Sequence, residues 1–289
     1  MTDLIWTPAC QTLLELALEE DLGRGDVTTE ATIPRDRMAA GILLAKDKEA
    51  IVVAGLEVAR RVFAAVSTEV VLTPRVRDGD AVATRTTLAE VRGPAWALLA
   101  GERTGLNFMQ RLSGVATQAR RYAEAAASGG GGARVVDTRK TTPGWRALEK
   151  WAVRVGGAHN HRPDLGGGVL IKDNHVAVAG GVGEAVRRAR ASAVHSLRVE
   201  VEVTTLLQID EALAAGAEII LLDNMDDAEV ARAVERVRRH PTKVLVEVSG
   251  GITLERIPRL SKLGVDLISS GALTHSARAV DISLDFEVK

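Results

Sequence analysis

One cysteine, Cys10, stands in 289 residues, which excludes an internal disulfide and any zinc site built from thiolates. Aromatic residues are nearly as scarce. Four tryptophans, three phenylalanines and one tyrosine are too few for a platform on which nucleic-acid bases stack. An excess of one charge is missing too: 37 basic residues face 38 acidic ones, whereas nucleic-acid proteins usually carry a basic surplus. With 46% of residues hydrophobic, the chain does not combine low hydrophobicity with high net charge, as disordered chains do. No apolar run approaches the ~18 residues of a membrane span; the run from Ala50 stops at Glu57. Residues 1–6 place Asp3 where a secretory signal needs a basic flank. The expectation is a cytoplasmic globular protein without nucleic-acid or membrane partners. Its length suits one barrel-sized domain or two smaller ones.

What is present differs between two halves. Near the start, Pro8 to Asp21 reads as a helix with Leu13, Leu14, Ala17 and Leu18 on one face, followed by a turn at 23–26. Residues 38–95 read as short strands (39–45, 50–54, 69–72 and 87–91) with one helix over 58–66. A helix from Trp96 to Ala127 follows, with Arg111 on it as either a helix salt-bridge partner or a residue that reaches the site. The run 128–132, one serine and four glycines, reads as a flexible joint.

Beyond it, strand, polar tip and helix recur. Strands are expected at 134–137, 168–171, 199–203, 219–222, 243–248 and 266–269. Helices between them are capped by Thr205, by Asp226 or Asp227, and by Thr253. Short apolar strands alternating with helices imply a parallel sheet covered by helices. Six or seven such units suggest an α/β barrel, complete or incomplete. No G-x-G-x-x-G follows the first strand, so the main support for a dinucleotide fold is missing.

Barrel chemistry sits at the carboxyl ends of the strands. Those ends read Thr138-Arg139-Lys140, Lys172-Asp173-Asn174, Glu200 and Glu202, Asp223-Asn224, Glu247 to Gly251, and Ser269-Ser270-Gly271. Glu200 and Glu202 are two apart, so they share a face. Val199, Val201 and Val203 take the other face, toward the helices. Acids inside a barrel need cations, metal or sugar hydroxyls as partners. Ser249-Gly250-Gly251 and Ser270-Gly271 offer small residues and amides where many barrels seat a phosphate. From Arg134 to Lys172 eight basic residues face three acidic ones, suited to a small polyanion. Arg146, Lys150 and Arg154, spaced by four, also fit a solvated helix face. The implied ligands are a phosphorylated sugar and a second polyanion, with Mg²⁺ at the carboxylates.

The segments 137–144, 160–162, 170–175, 199–202, 221–224, 249–251 and 271–274 together resemble the quinolinate phosphoribosyltransferase family. So do 20–29 and 101–107, and the order is maintained along nearly the whole chain. The resemblance implies a type II phosphoribosyltransferase fold. In it, an N-terminal α/β sandwich (1–112, joined by a tail at about 275–289) accompanies an incomplete α/β barrel (113–274). It implies quinolinate and 5-phosphoribosyl 1-diphosphate (PRPP) as substrates, and nicotinate mononucleotide, diphosphate and CO₂ as products of de novo NAD biosynthesis.

By the same resemblance, Arg139, His161, Arg162 and Lys172 hold the quinolinate carboxylates, beside Thr138. Lys140 faces PRPP, while Glu202 and Asp223 hold ribose hydroxyls and Mg²⁺. Ser249, Gly250, Gly251, Ser270 and Gly271 seat phosphate. Arg103 completes the neighbouring subunit's site, so the active unit is at least a homodimer. No organic cofactor is expected. His159 and Pro163 depart from the family pattern, and they either alter the quinolinate pocket or lie outside it. Rival readings are a relative using another acceptor, such as the molybdenum-transport-associated paralogue, and a non-enzymatic phosphosugar-binding regulator. Asn160-His161-Arg162 and Lys172 to His175 argue for the quinolinate branch.

Overall fold

A computed structural model describes residues 3–286. The elements in chain order are α1 (Pro8–Leu22), α2 (Val27–Thr32), β1 (Met38–Ala45), β2 (Ile51–Val52), α3 (Leu56–Val66), β3 (Val71–Pro74), β4 (Ala81–Val82), β5 (Thr87–Pro94) and α4 (Ala95–Ser128). They continue with β6 (Arg134–Val136), α5 (Arg146–Val155), β7 (Val169–Ile171), α6 (Asp173–Ala179), α7 (Val182–Ser192), β8 (Val199–Val203), α8 (Leu206–Ala215) and β9 (Ile219–Asp223). The last are α9 (Asp227–Arg238), β10 (Leu245–Ser249), α10 (Ile257–Lys262), β11 (Leu267–Ser269), α11 (Ala272–His275) and β12 (Ile282–Phe286).

The chain forms two compact units. Within the described residues the first comprises 3–120, 141–157 and 272–286, and the second 121–140 and 158–271. The sequence-based boundary at 112/113 falls inside α4, a helix of 34 residues. Residues 287–289 of the expected tail lie outside the described residues.

In the first unit an antiparallel sheet runs in the order β12-β1-β5-β3. The alternation of β1 is what a half-covered sheet requires, and Leu43 and Ala45 are buried with Leu88, Val91, Ile282 and Leu284. Phe63 of α3 and Leu98, Leu106 and Met109 of α4 complete that core. Two buried acids are paired with arginine. Glu149, fully buried, accepts from Arg111 Nη2 at 2.7 Å and Nε at 3.1 Å. Arg111 also donates to the carbonyls of Thr274 and Ala277, both at 2.6 Å, so it ties three segments together. Asp47 accepts from both Arg278 Nη groups, at 2.7 and 2.8 Å.

The second unit holds a parallel sheet in the order β6-β11-β10-β9-β8-β7, as the six-strand reading requires. Its centre is apolar on the helix-facing side: Val199, Val201, Val203, Ile220, Leu222, Val246 and Val248 are buried. β6 is extended by a parallel bridge from Val136 to His159.

Three local expectations need correction. Gly129 and Gly131, within the expected flexible joint, are packed against other backbone. A Cβ on Gly129 would lie 2.3 Å from the Pro258 carbonyl oxygen, and one on Gly131 would lie 1.6 Å from that of Ser261. They are glycines because backbone passes against backbone. Thr253 does not cap α10, which starts at Ile257 after Arg256. Thr253 instead closes a turn, accepting from the Arg256 N–H at 3.1 Å. Finally, Lys150 is buried, so α5 is no solvated face at that position.

Candidate active site

A cavity of about 540 Å³ opens at the carboxyl ends of the parallel strands of the second unit, lined by the tips of β6 to β11. It brings together Thr138, Arg139, Lys140, His161, Arg162, Lys172, Glu202, Asp223, Ser249, Gly250 and Gly251. Ser269 lines it rather than Ser270 or Gly271, and the Ser270 N–H is already donated to the Val136 carbonyl at 3.0 Å. Arg103 lies on α4 in the first unit and lines a smaller cavity there with Glu20, Asp21 and Trp145. His159 and Pro163 are exposed and outside the lining.

The basic wall is organised by one buried acid. Asp137, fully buried just past β6, accepts from the His161 N–H at 2.8 Å and the Asn160 amide at 2.7 Å. A buried carboxylate needs such donors, and they fix the 158–162 segment beside the strand. Arg162 is braced by its Nη1, which donates to the Gly168 carbonyl at 2.9 Å. Burial, reinforced by the neighbouring Arg139 cation, lowers its pKa. The Thr138 hydroxyl accepts from the Lys140 N–H at 3.0 Å, a local turn that sets the two cations in place. His175 accepts from the Lys172 N–H at 2.9 Å through Nδ1, so it caps α6 and orients the strand end.

Across the cavity, Glu202 lies 3.8 Å from the Lys172 ammonium. Burial first, then the Asp223 charge, raise the pKa of Glu202. Two oxygen-ligand acids that repel each other at a cavity wall are a donor set suited to a hard divalent cation such as Mg²⁺. The seat next to them is backbone: Gly250 takes φ +83°, and a Cβ there would lie 2.2 Å from Asn224 Oδ1. Asn224 itself has φ 54°, and its N–H donates to the Ser249 carbonyl at 3.0 Å. Arg256 rivets this loop, donating to Asp227 at 2.8 Å and to the Met225 carbonyl at 2.6 Å. Nothing in the spacing of the sequence marks Arg256 for that task.

Two further acids were legible in the sequence as strand-end charges but were not counted among the site residues. Glu200 and Glu247 are 4% and 1% exposed, and Glu247 lines the cavity. The alternation of β8, with valines on the helix side, already directs Glu200 inward. Glu247 sits in an apolar strand where an acid has no packing reason to be.

Guanidiniums and ammoniums on one wall, acids on the other and a glycine seat between them define a barrel enzyme that handles two anionic small molecules. The family models for the N-terminal and C-terminal domains of quinolinate phosphoribosyl transferase match residues 26–113 and 115–285, and the chain belongs to that family. A probable nicotinate-nucleotide pyrophosphorylase (carboxylating) of Bacillus subtilis is 41% identical over 92% of this chain and 89% of its own. A mitochondrial quinolinate phosphoribosyltransferase (decarboxylating) of Nicotiana tabacum is 39% identical over 96% of this chain and 82% of its own. The crystal structure of NadC from Streptococcus pyogenes superposes with a TM-score of 0.90, at 40% identity and 98% coverage of both chains.

Proposed function

We propose that this protein transfers the phosphoribosyl group of PRPP to quinolinate with loss of CO₂. The products are nicotinate mononucleotide and diphosphate, a step of de novo NAD biosynthesis. The observation that carries the reading is the single cavity in which Arg139, Arg162 and Lys172 oppose Glu202 and Asp223. Quinolinate is a dianion, and arginine's planar fork matches a carboxylate in two places at once. Lys140, exposed at the rim, suits the diphosphate of PRPP. Departure of diphosphate leaves positive charge on the ribose, and fixed carboxylates stabilise it where it develops. Glu202 and Asp223 fill that role and would hold Mg²⁺, which supplies charge neutralisation for the leaving diphosphate. Once the ring nitrogen is ribosylated, its positive charge stabilises the electron pair that the departing carboxylate leaves on the adjacent ring carbon. No organic cofactor is needed for that step, and a requirement for added pyridoxal phosphate would contradict this.

His161 keeps a place beside the acceptor through its backbone and its neighbour Arg162. Both of its ring nitrogens face groups of the protein. Nδ1 accepts from the Arg162 N–H at 2.8 Å, and Nε2 lies 3.2 Å from Glu200. It therefore positions Arg162 more directly than it clamps a carboxylate. The reading also places the protein in the cytoplasm; among the described residues no helix is long and apolar enough to cross a membrane.

The test is turnover with PRPP, Mg²⁺ and quinolinate labelled in its C2 carboxylate, following CO₂ and nucleotide together. Coupled release of both, absent when nicotinic acid replaces quinolinate, is expected. PRPP binding without either product would contradict the acceptor assignment. Arg103 is proposed to serve the neighbouring protomer of a homodimer. Mixing inactive Arg103→Ala and inactive Glu202→Ala chains under exchange should restore partial activity, and no recovery despite proven exchange would contradict a shared site.

A further inference from the structure

Beneath the site lies a buried polar cluster with more oxygen than donors. Glu247 of β10 and Glu200 of β8 both approach His161, whose Nε2 is 3.2 Å from one Glu200 oxygen and 3.7 Å from one of Glu247. Because His161 Nδ1 accepts from the Arg162 N–H, the ring N–H that faces the acids is assigned to Nε2 and points at Glu200. Neither Glu247 oxygen, nor Oε1 of Glu200, receives a hydrogen bond of ordinary geometry, although the Ser269 hydroxyl and the Glu200 carboxylate stand near enough to act on Glu247. One imidazole N–H cannot compensate two buried carboxylates, since each uncompensated charge in such a place costs several kcal/mol. One of the two acids holds a proton instead.

The surroundings decide which. Around Glu247 stand Glu200 from β8, His161 with Arg162 behind it, Ser269 and Leu267 from β11 and Leu221 from β9. Burial first, then the Glu200 charge, push the Glu247 carboxyl up to about 7, and the Ser269 hydroxyl offsets only part of that. A neutral acid is thus at hand at neutral pH. A second cavity of about 510 Å³ opens at the amino ends of the strands, lined by Arg134, His159, Asn160, Ser196 and Arg198. His161, Arg162 and Glu247 line both cavities.

We propose that Glu247 is the acid that protonates the pyridine ring after decarboxylation, recharged from solvent through the second cavity. The inference rests on the quinolinate reading above and assigns a step within it. The bond from C2 to its carboxylate breaks, the pair remains on C2, and CO₂ leaves. The Glu247 O–H then breaks, its proton forms the new C2–H bond, and the carboxylate takes a replacement proton from water, one per turnover. The other groups of the cavity serve less well. Guanidiniums of Arg139 and Arg162 are too weak as acids, the Lys172 ammonium faces Glu202, and the ring proton of His161 faces Glu200.

The experiment compares the full-length wild type with Glu247→Gln and Glu247→Asp, measuring CO₂ from C2-carboxylate-labelled quinolinate between pH 6 and 9. General acids contribute about 10²–10⁴-fold, so Glu247→Gln should release CO₂ roughly 100-fold more slowly with the quinolinate KM little changed. The wild-type rate should fall as pH rises past about 7. That limb should vanish in Glu247→Gln and survive, at a lower rate, in Glu247→Asp. A wild type that turns over quinolinate beside an equally active Glu247→Gln with the same pH limb overturns the proposal. So does a Glu247→Asp protein that is no faster than Glu247→Gln. A wild type that does not turn over quinolinate overturns the underlying reading and this step with it.

Discussion

Both units of the chain bury acids and give some of them donors, as Asp137 shows in the parallel unit, but two acids of that unit are treated in the opposite way. In the antiparallel unit, Glu149 and Asp47 are each met by an arginine fork and by further donors. In the parallel unit, Glu200 and Glu247 share one imidazole, and three of their oxygens receive no hydrogen bond of ordinary geometry. Paired burial holds segments together, as Arg111 does for α4, α5 and the chain near Ala277. Unpaired burial stabilises nothing. An acid retained in that condition is retained for its proton or its charge, which is what a site that breaks a carbon–carboxylate bond requires. The difference separates architecture from chemistry without any substrate being present.

The comparison can be broken most forcefully in the paired unit. Arg111→Ala leaves Glu149 buried and uncompensated, and loss of one partner of a buried pair costs about 3–5 kcal/mol. Denaturant unfolding that shows a loss below ~1 kcal/mol would put the pair among contacts that merely coexist. On the other side, Arg139→Ala should leave stability nearly intact and remove roughly 2–4 kcal/mol of transition-state stabilisation, tens to about a thousandfold in kcat/KM. Activity within threefold of wild type would remove Arg139 from the site.

Asp47 gives a smaller effect with a defined pH dependence. Its hydrogen bond to Arg278, with further donors, holds its carboxyl well below the usual range. A depressed folded-state pKa stabilises above the unfolded value and is lost as pH falls. Asp47→Asn should therefore cost about 1–2 kcal/mol at pH 7, discounted because Arg278 is half exposed. The cost should shrink below about pH 4, and one independent of pH would contradict the ion-pair account. The smallest effect belongs to a cap. Asp226 accepts from the Glu229 N–H at 2.7 Å, and Glu229 returns the bond at 3.0 Å. Asp226→Ala should lower stability by about 1 kcal/mol, read as a lower unfolding midpoint, with activity unchanged. No shift in the midpoint would show the capping box to be idle.

How much of this was legible in the sequence follows from where the information lies. Strands β8 and β9 and the caps at Thr205 and Asp226 depend on local pattern, and the sequence places them within a residue. The basic wall was legible as a cluster because its members fall within forty residues. Thr253 was misread because a threonine before a helical pattern looks the same whether it caps a helix or closes a turn ahead of it. Gly129 and Gly131 read as part of a flexible joint because their reason is the Pro258 and Ser261 carbonyls, more than a hundred residues away. Glu247 was visible as an acid in an apolar strand, but its lack of a hydrogen bond of ordinary geometry exists only in three dimensions.

The central claim is that the parallel unit keeps acids whose burial works against stability. Unfolding free energy of Glu247→Gln and wild type across pH 5 to 8 tests it most directly. A carboxyl raised from 4.5 to about 7 on folding contributes stability that is present below its unfolded pKa and lost as pH rises toward 7. Wild type should therefore weaken over that range by roughly 2–3 kcal/mol more than the variant. The account predicts that Glu247→Gln is the more stable protein at pH 8 and the less active one. A variant less stable than wild type at every pH would make Glu247 a structural residue and contradict the claim.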